Sequence, residues 1–136
     1  MLYAVLCYNS EEVVFSWSKE EDAAVMEKLA GVQARWAAKG KLGPTARLMP
    51  TTAATTLRKG DTPLIIDGPF AETKEQLLGF YLVDCVDLEE ALTFCRELGA
   101  VNPGGAYEVR PLHFFANGSL PTDSVAARVT PDKVRA

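Results

Sequence analysis

The sequence predicts a single α+β domain of the ferredoxin-like class, with the core order βαββαβ and a β-hairpin inserted between the second and third core strands. Three observations lead to this prediction. Two short, continuously apolar runs suit strands covered on both faces, and two longer stretches carry a helical apolar stripe between a capping residue and a glycine. The chain has 136 residues, 48% of them hydrophobic, which is enough for one domain with its own core.

The first part of the chain predicts a strand followed by a helix. Residues 2–8 are continuously apolar and rich in β-forming side chains, which indicates a strand buried on both faces. Ser18 and Glu21 form a capping-box pattern, so a helix is expected to begin near residue 19 and to stop at Gly40. Its apolar stripe consists of Val25, Leu29, Val32 and Trp36.

The middle of the chain changes to a β pattern. Residues 45–49 predict the second core strand. Residues 54–58 and 63–66 predict the two strands of the inserted hairpin, because the Gly and Asp within residues 59–62 suit a short connection.

The second half predicts a strand, a helix and a final strand. Residues 78–83 are nearly continuously apolar and indicate another central strand. Asp87 is expected to cap a second helix that ends at Gly99. Residues 106–112 alternate, and Pro111 would confine this last strand to an edge or a bulge.

The charge balance disfavours a nucleic-acid partner. Lys and Arg number 14 against 18 Asp and Glu, a formal net charge of -4, whereas binding to phosphates depends on basic side chains. No apolar run approaches the ~18 residues that span a bilayer, and the first residues lack the basic segment and cleavage site of a signal peptide. We therefore expect a cytoplasmic protein with neither nucleic acid nor membrane as a partner.

The three cysteines, Cys7, Cys85 and Cys95, lie within apolar stretches and are predicted to be buried free thiols. None belongs to a CxxC pair and His113 is the only histidine, so neither a zinc site nor a disulfide framework is predicted. We expect no metal and no cofactor, and free thiols are typical of a reducing compartment.

A layer with helices on one face leaves the other face of the sheet bare. The chain carries more apolar side chains than one face can absorb, among them Tyr3, Val5, Phe80, Leu82 and Phe114 or Phe115. Exposed sheet faces of this kind commonly mark association surfaces, and two-fold symmetry is the commonest arrangement of oligomers. We therefore expect a homodimer that packs sheet on sheet.

The string DGPFAETKE, which begins at Asp67, joins turn-forming residues to a cluster of carboxylates. Gly68 and Pro69 bend the chain at the end of a strand and leave Asp67 at the corner, while Phe70 is expected to anchor the loop in the core. One interpretation makes Asp67 a general base or ligand contact at the mouth of a cleft, with Glu72 next in line. The alternative is a turn residue whose carboxylate accepts a loop amide, beside a solvated charged face.

Further side chains bear on this choice. Arg47 and Arg110 are potential ion-pair partners of Asp67 or Glu72, which would favour a structural or anion-binding role for the carboxylates. Four aromatic residues are interpreted as core or dimer-face side chains, with the apolar walls of a small-molecule pocket as the alternative. They are Trp17, Trp36, Tyr81 and Tyr107.

The string DGPFAETKEQLLGFYLVD, followed by DLEEAL and the closing YEVRPL, strongly resembles the DGPF subgroup of the YCII-related (YciI-like) family. The resemblance covers about residues 1–114, and we assign residues 1–116 to this domain and residues 117–136 to a flexible C-terminal tail. It implies a bacterial protein whose ferredoxin-like fold forms a dimeric α+β barrel. The family's biochemical role is largely undefined.

The resemblance also guides the choice of site residues. In YciI-like proteins a His of the first helix and an Asp of a loop are proposed as a catalytic pair, and Asp67 matches the family motif. The first helix here contains no His, and His113 follows the last strand, where it is interpreted as a satisfied strand histidine. Asp67 is therefore predicted as the catalytic residue without a paired His, and Phe70, Glu72 and Arg110 as ligand-binding residues.

Two functions are compatible with these residues. The first is the binding of a small molecule in a cleft beside the DGPF loop, with a cofactor-independent enzyme as its catalytic form. The alternative is a non-catalytic accessory or regulatory protein linked to an extracytoplasmic-function sigma factor system, as the resemblance implies. The missing His favours the second function, and the charged cluster at the end of a strand favours the first.

Overall fold

The fold was obtained as a computed structural model and is described for residues 1–120. The predicted tail, residues 117–136, therefore lies mostly outside the described part of the chain. In chain order the elements are β1 (Leu2–Asn9), α1 (Glu11–Val14), α2 (Lys19–Ala38), β2 (Leu42–Arg47), a 3-10 turn (Thr51–Ala53), β3 (Thr55–Arg58), β4 (Leu64–Asp67), β5 (Gln76–Asp84), α3 (Leu88–Val101) and β6 (Ala106–Pro111).

The strands form two antiparallel sheets. The larger sheet has the order β2-β5-β1-β6, and β3 and β4 form a separate two-stranded hairpin between β2 and β5. Buried side chains of α2 and α3 share one core cluster with those of β1 and β5. This mixed α+β architecture is consistent with the predicted ferredoxin-like fold and confirms the inserted hairpin.

The core lies between the two helices and one face of the larger sheet. Alternate residues of a strand point to opposite faces, and in β1 the side chains of Tyr3 and Val5 are buried beneath the helices. Val5 pairs with Tyr81 of β5, whose ring packs edge-on against Phe94 of α3. Trp36 of α2 packs against the same Phe94 ring, so this phenylalanine joins both helices to the sheet.

The local capping signals in the sequence are confirmed. Ser18 Oγ accepts the Glu21 amide at 3.0 Å and Glu21 Oε1 accepts the Ser18 amide at 3.2 Å, which satisfies two amides at the start of α2. Gly40 follows α2 with a φ of 71°, a conformation that glycine adopts without strain. Asp87 caps α3 by accepting the Glu90 amide at 3.0 Å.

Two predicted boundaries are wrong. The second core strand covers Leu42–Arg47 instead of residues 45–49, because Leu42 pairs with Val83 across an irregularity at Gly43 and Pro44. The second helix continues past Gly99 to Val101. Packing explains this extension, since Val101 contacts the core cluster and the break comes where residues 102–105 leave the helix.

The short helix α1 was not predicted. Ser10 caps it, and the Glu11 amide donates to Gln76 Oε1 at 2.9 Å. The Glu11 carboxylate accepts from Thr51, at 2.6 Å from the amide and 2.7 Å from the hydroxyl. Contacts with residues 51 and 76 thus hold α1 in place, and such distant partners leave no local pattern in the sequence.

Some of the apolar side chains that were predicted to exceed the capacity of one sheet face lie on the open face of the sheet. Phe80 and Leu82 are half-buried there, whereas Tyr3 and Val5 lie beneath the helices. Phe114 is exposed. Within residues 1–120, no helix combines the length and apolar character needed to cross a membrane.

Candidate functional site

A cavity of about 170 Å³ lies between the first half of α2 and the helix-covered face of the sheet. The sheet contributes Cys7 of β1 and Gly79 of β5, and α2 contributes an apolar wall that includes Val25 and Leu29. Val14 of α1 and Trp17 also line the cavity, as do residues 102, 104 and 107 near the start of β6. The cavity is therefore built from both halves of the chain.

Gly79 explains why the sheet leaves room here. It pairs with Cys7, and neither residue presents a large side chain to the space beneath α2. A Cβ atom at Gly79 would collide with the Ala46 carbonyl oxygen and lie 3.2 Å from the Arg47 Cα. Glycine at this position thus allows β2 to approach β5 closely, which places Arg47 at the cavity.

Two tyrosine residues line the cavity, and the hydroxyl of each accepts a hydrogen bond from a carboxamide. Gln33 Nε2 donates to Tyr81 Oη at 2.9 Å, and Asn102 Nδ2 donates to Tyr107 Oη at 3.3 Å. All four residues line the cavity. Because a phenol both donates and accepts, each hydroxyl keeps its own proton for a further acceptor.

Burial keeps the weak acids of the cavity protonated. Burial raises the pKa of Tyr107 to about 12, against the opposing effect of the Asn102 hydrogen bond. It also raises the pKa of Tyr81, opposed by Gln33, and that of the Cys7 thiol to about 12. At neutral pH these three groups are hydrogen-bond donors and not anions.

Asp22 and Arg47 form an ion pair at the cavity. Arg47 Nη2 lies 3.0 Å from Asp22 Oδ1, and the two side chains are 37% and 15% exposed. The sequence-based expectation that Arg47 pairs with Asp67 or Glu72 is thus wrong. Its positive charge also acts at the Tyr81 phenol, where it opposes the rise in pKa that burial causes.

The DGPF loop lies on the separate hairpin and not at the cavity. Asp67 is exposed at the end of β4, where the Gly68 amide donates to the Ala54 carbonyl at 2.8 Å. Phe70 is 72% exposed, with the Arg58 guanidinium 4.9 Å from its ring centre. The expectation that Phe70 anchors the loop in the core is therefore wrong.

The other predicted ligand-binding residues do not line the cavity either. Glu72 is exposed, and Arg110 donates to Glu108 at 2.6 Å on β6. This contact replaces the expected pairing of Arg110 with Asp67 or Glu72. Asp67, Phe70, Glu72 and Arg110 are not among the residues that line this cavity, and their assignment as a site stays a prediction. His113 is exposed after β6.

Some of the residues that line the cavity could be identified from the sequence, and others could not. Trp17, Tyr81 and Tyr107 line it, which agrees with the alternative interpretation of the aromatic residues as pocket walls, while Trp36 lies in the core. Gln33 was missed, although a polar residue on the buried stripe of a helix is a signal for an internal partner. Asp22 gave no such signal, because acidic residues are common in the first turn of any helix.

No set of three His, Cys, Asp or Glu side chains within the described chain is placed to hold a metal ion. Cys85 and Cys95 are buried free thiols, as predicted, whereas Cys7 is half-buried at the cavity. The groups that a ligand would meet here are therefore phenols, carboxamides, a thiol and one ion pair.

Comparison with known proteins gives a family match and one detailed similarity. Residues 1–116 match the family of YCII-related domains. A protein from Rhizobium meliloti (strain 1021), named only as uncharacterised, is 62% identical over 125 residues, which cover 90% of this chain and 100% of the relative. Within residues 1–120, every residue that lines the cavity lies inside the matched domain.

Proposed function

Since the chain belongs to the YCII-related family, and since the described residues that line its cavity lie within that domain, we propose that it binds a small organic molecule of about one ring between α2 and the sheet. The cavity volume of about 170 Å³ supports this size, because an engineered cavity of about 150 Å³ admits benzene. An apolar wall with a few converging polar groups is typical of ligand sites.

The single observation that carries the proposal is the combination of an apolar wall with two phenols in the lining of one cavity. Val25 and Leu29 offer apolar surface to a ring, and Tyr81 and Tyr107 offer protons to an acceptor on it. The phenols and the Cys7 thiol stay protonated at neutral pH, so they suit binding better than proton abstraction.

A cavity-filling variant tests this proposal. In Val25→Phe the larger side chain occupies the cavity, so we expect the binding of one-ring probes such as benzyl alcohol, benzamide and benzoate to be lost. Saturation-transfer NMR of the probe set with wild-type protein and variant measures this. Ala30→Phe is the matched control, because it adds the same ring to an exposed position of α2 and should leave binding unchanged.

Asp67→Asn distinguishes the cavity from the DGPF loop as the binding site. Binding that survives Asp67→Asn but not Val25→Phe supports the cavity. The reverse result would return the site to the DGPF loop predicted from the sequence. Equal binding to all four proteins would contradict both locations.

We further propose that the chain belongs to the DGPF subgroup and forms the dimeric α+β barrel that the sequence resemblance implies. The DGPFAETKE string supports the subgroup, and an unpartnered apolar surface on the hairpin supports the dimer. That surface consists of Leu57, Leu64, Ile65, Ile66 and Phe70, all of them exposed in the single chain. Four such residues lie within seven positions, a density that a monomer rarely exposes to water.

A charge placed on this surface is expected to dissociate the dimer. Ile65 is 71% exposed in the single chain, so Ile65→Lys should leave the fold intact while it places an ammonium group in the interface. Sedimentation velocity at micromolar concentration should show a dimer for the wild type and a monomer for the variant. Thr62→Lys adds the same charge beside the strand and should remain dimeric. A monomeric wild type would refute the proposal.

A further inference from the structure

Two of the polar groups that line the cavity are phenol donors whose protons have no acceptor within residues 1–120. The Tyr81 and Tyr107 hydroxyls each accept a carboxamide N–H, and neither donates its own proton to an acceptor within residues 1–120. A buried donor without a partner costs free energy. A ligand that supplies an acceptor oxygen would therefore satisfy groups that the protein itself leaves unpaired.

Arg47 adds further donors and a charge. A guanidinium carries five N–H donors, and within the described chain the side chain of Arg47 donates one hydrogen bond, from Nη2 to Asp22. The remaining donors suit a second carboxylate, since the planar guanidinium matches carboxylate geometry. Asp22 contacts the guanidinium from α2 and thereby holds it at the cavity.

Arg47 and Asp22 bring one positive and one negative charge to the cavity, and the Arg47 charge acts on the Tyr81 phenol. Arg47 is the one cationic side chain among the described residues that line the cavity. Its charge favours the ionised form of Tyr81 and so lowers the pKa of that phenol, against the larger effect of burial. An anionic oxygen of a ligand beside the Tyr81 hydroxyl would be stabilised by the same charge.

We propose that the ligand is a small organic acid whose carboxylate is bound by the Arg47 guanidinium and the Tyr81 hydroxyl, with its apolar part against α2. This inference rests on the proposed binding function and names the chemical class of its ligand. Arg47 supplies the charge, Tyr81 a neutral donor, and Gln33 fixes the phenol by donating to its oxygen.

Benzoate and benzamide form a matched pair of probes, because they share ring and shape but differ in charge. Wild-type protein is expected to bind benzoate at least about ten-fold more tightly than benzamide, measured by NMR titration at low salt. Arg47→Gln should abolish this preference, and Tyr81→Phe should weaken benzoate about ten-fold. Arg96→Gln removes an equal charge from the exposed Arg96–Glu89 pair and should leave the preference unchanged.

The outcomes separate this inference from the proposed function. Equal binding of the two probes, lost in Val25→Phe, would overturn the organic acid and leave the binding function standing. A benzoate preference that survives both Arg47→Gln and Tyr81→Phe would also overturn the inference. Failure of every one-ring probe to bind wild-type protein would overturn the proposed function itself. Arg47→Lys, which keeps the charge but not the planar geometry, should retain part of the preference.

Discussion

Phe94→Ala is expected to lower the free energy of unfolding by about 3–5 kcal/mol, the usual cost of removing a buried phenylalanine. Phe94 is fully buried, and its ring centre lies 5.1 Å from that of Trp36 and 5.2 Å from that of Tyr81, both edge-on. The variant loses the transfer free energy of the ring, leaves a void and breaks both aromatic contacts. Since whole domains of this kind are stable by about 5–15 kcal/mol, this loss is a large fraction.

Urea unfolding followed by circular dichroism measures this effect as a fall in the midpoint at an unchanged slope. Phe114→Ala is the matched control, because the same side chain is removed from an exposed position, and we expect a change within about 0.5 kcal/mol. A loss below about 1.5 kcal/mol in Phe94→Ala would mean that Phe94 does not join the two helices to the sheet. Because Tyr81 loses its neighbour, ligand binding should weaken in the folded fraction too.

Gly79→Ala is expected to destabilise the protein by about 3 kcal/mol, at the upper end of the cost of overpacking. The added methyl group meets the backbone of β2, at the Ala46 carbonyl oxygen and the Arg47 Cα, and backbone cannot move aside as a flexible side chain does. The clash can be relieved only if β2 moves away from β5, and this movement shifts Arg47 relative to Tyr81. The variant should therefore lose both stability and the preference for benzoate.

Gly31→Ala provides the control for this substitution. Gly31 lies within α2, and a Cβ atom there meets nothing within 4 Å. Alanine should stabilise the helix by about 0.5–1 kcal/mol because glycine is a poor helix former. Thermal unfolding of the two variants should thus shift in opposite directions, and a Gly79→Ala protein as stable as the wild type would contradict the close strand contact.

The elements that depend on neighbouring residues could be predicted from the sequence. The capping box of Ser18 and Glu21 and the stop at Gly40 involve residues close in the chain, so their pattern is visible there. The end of α3 was missed because packing of Val101 outweighs the local tendency of Gly99 to end a helix. Propensity decides such a boundary only where tertiary contacts are weak.

The candidate site could not be predicted because it depends on register between distant segments. Cys7 and Gly79 are adjacent only through the pairing of β1 with β5, and Arg47 reaches Asp22 only after β2 joins the same sheet. The DGPF loop drew attention through its turn residues, and Gly68 does adopt a φ of 118°. These turn residues predict the local backbone conformation, but they do not show which strands and helices border a cavity.

The Glu11 contacts have a consequence for the order in which the molecule assembles. A helix of four residues has no independent stability in water, since the nucleation of a helix costs more than so few hydrogen bonds return. Glu11 finds its partners only when Thr51 and Gln76 are already in place, which requires two long loops to close. We therefore expect the wall formed by Val14 and Trp17 to be completed late in folding and to open early, which would let the proposed ligand exchange without melting the sheet.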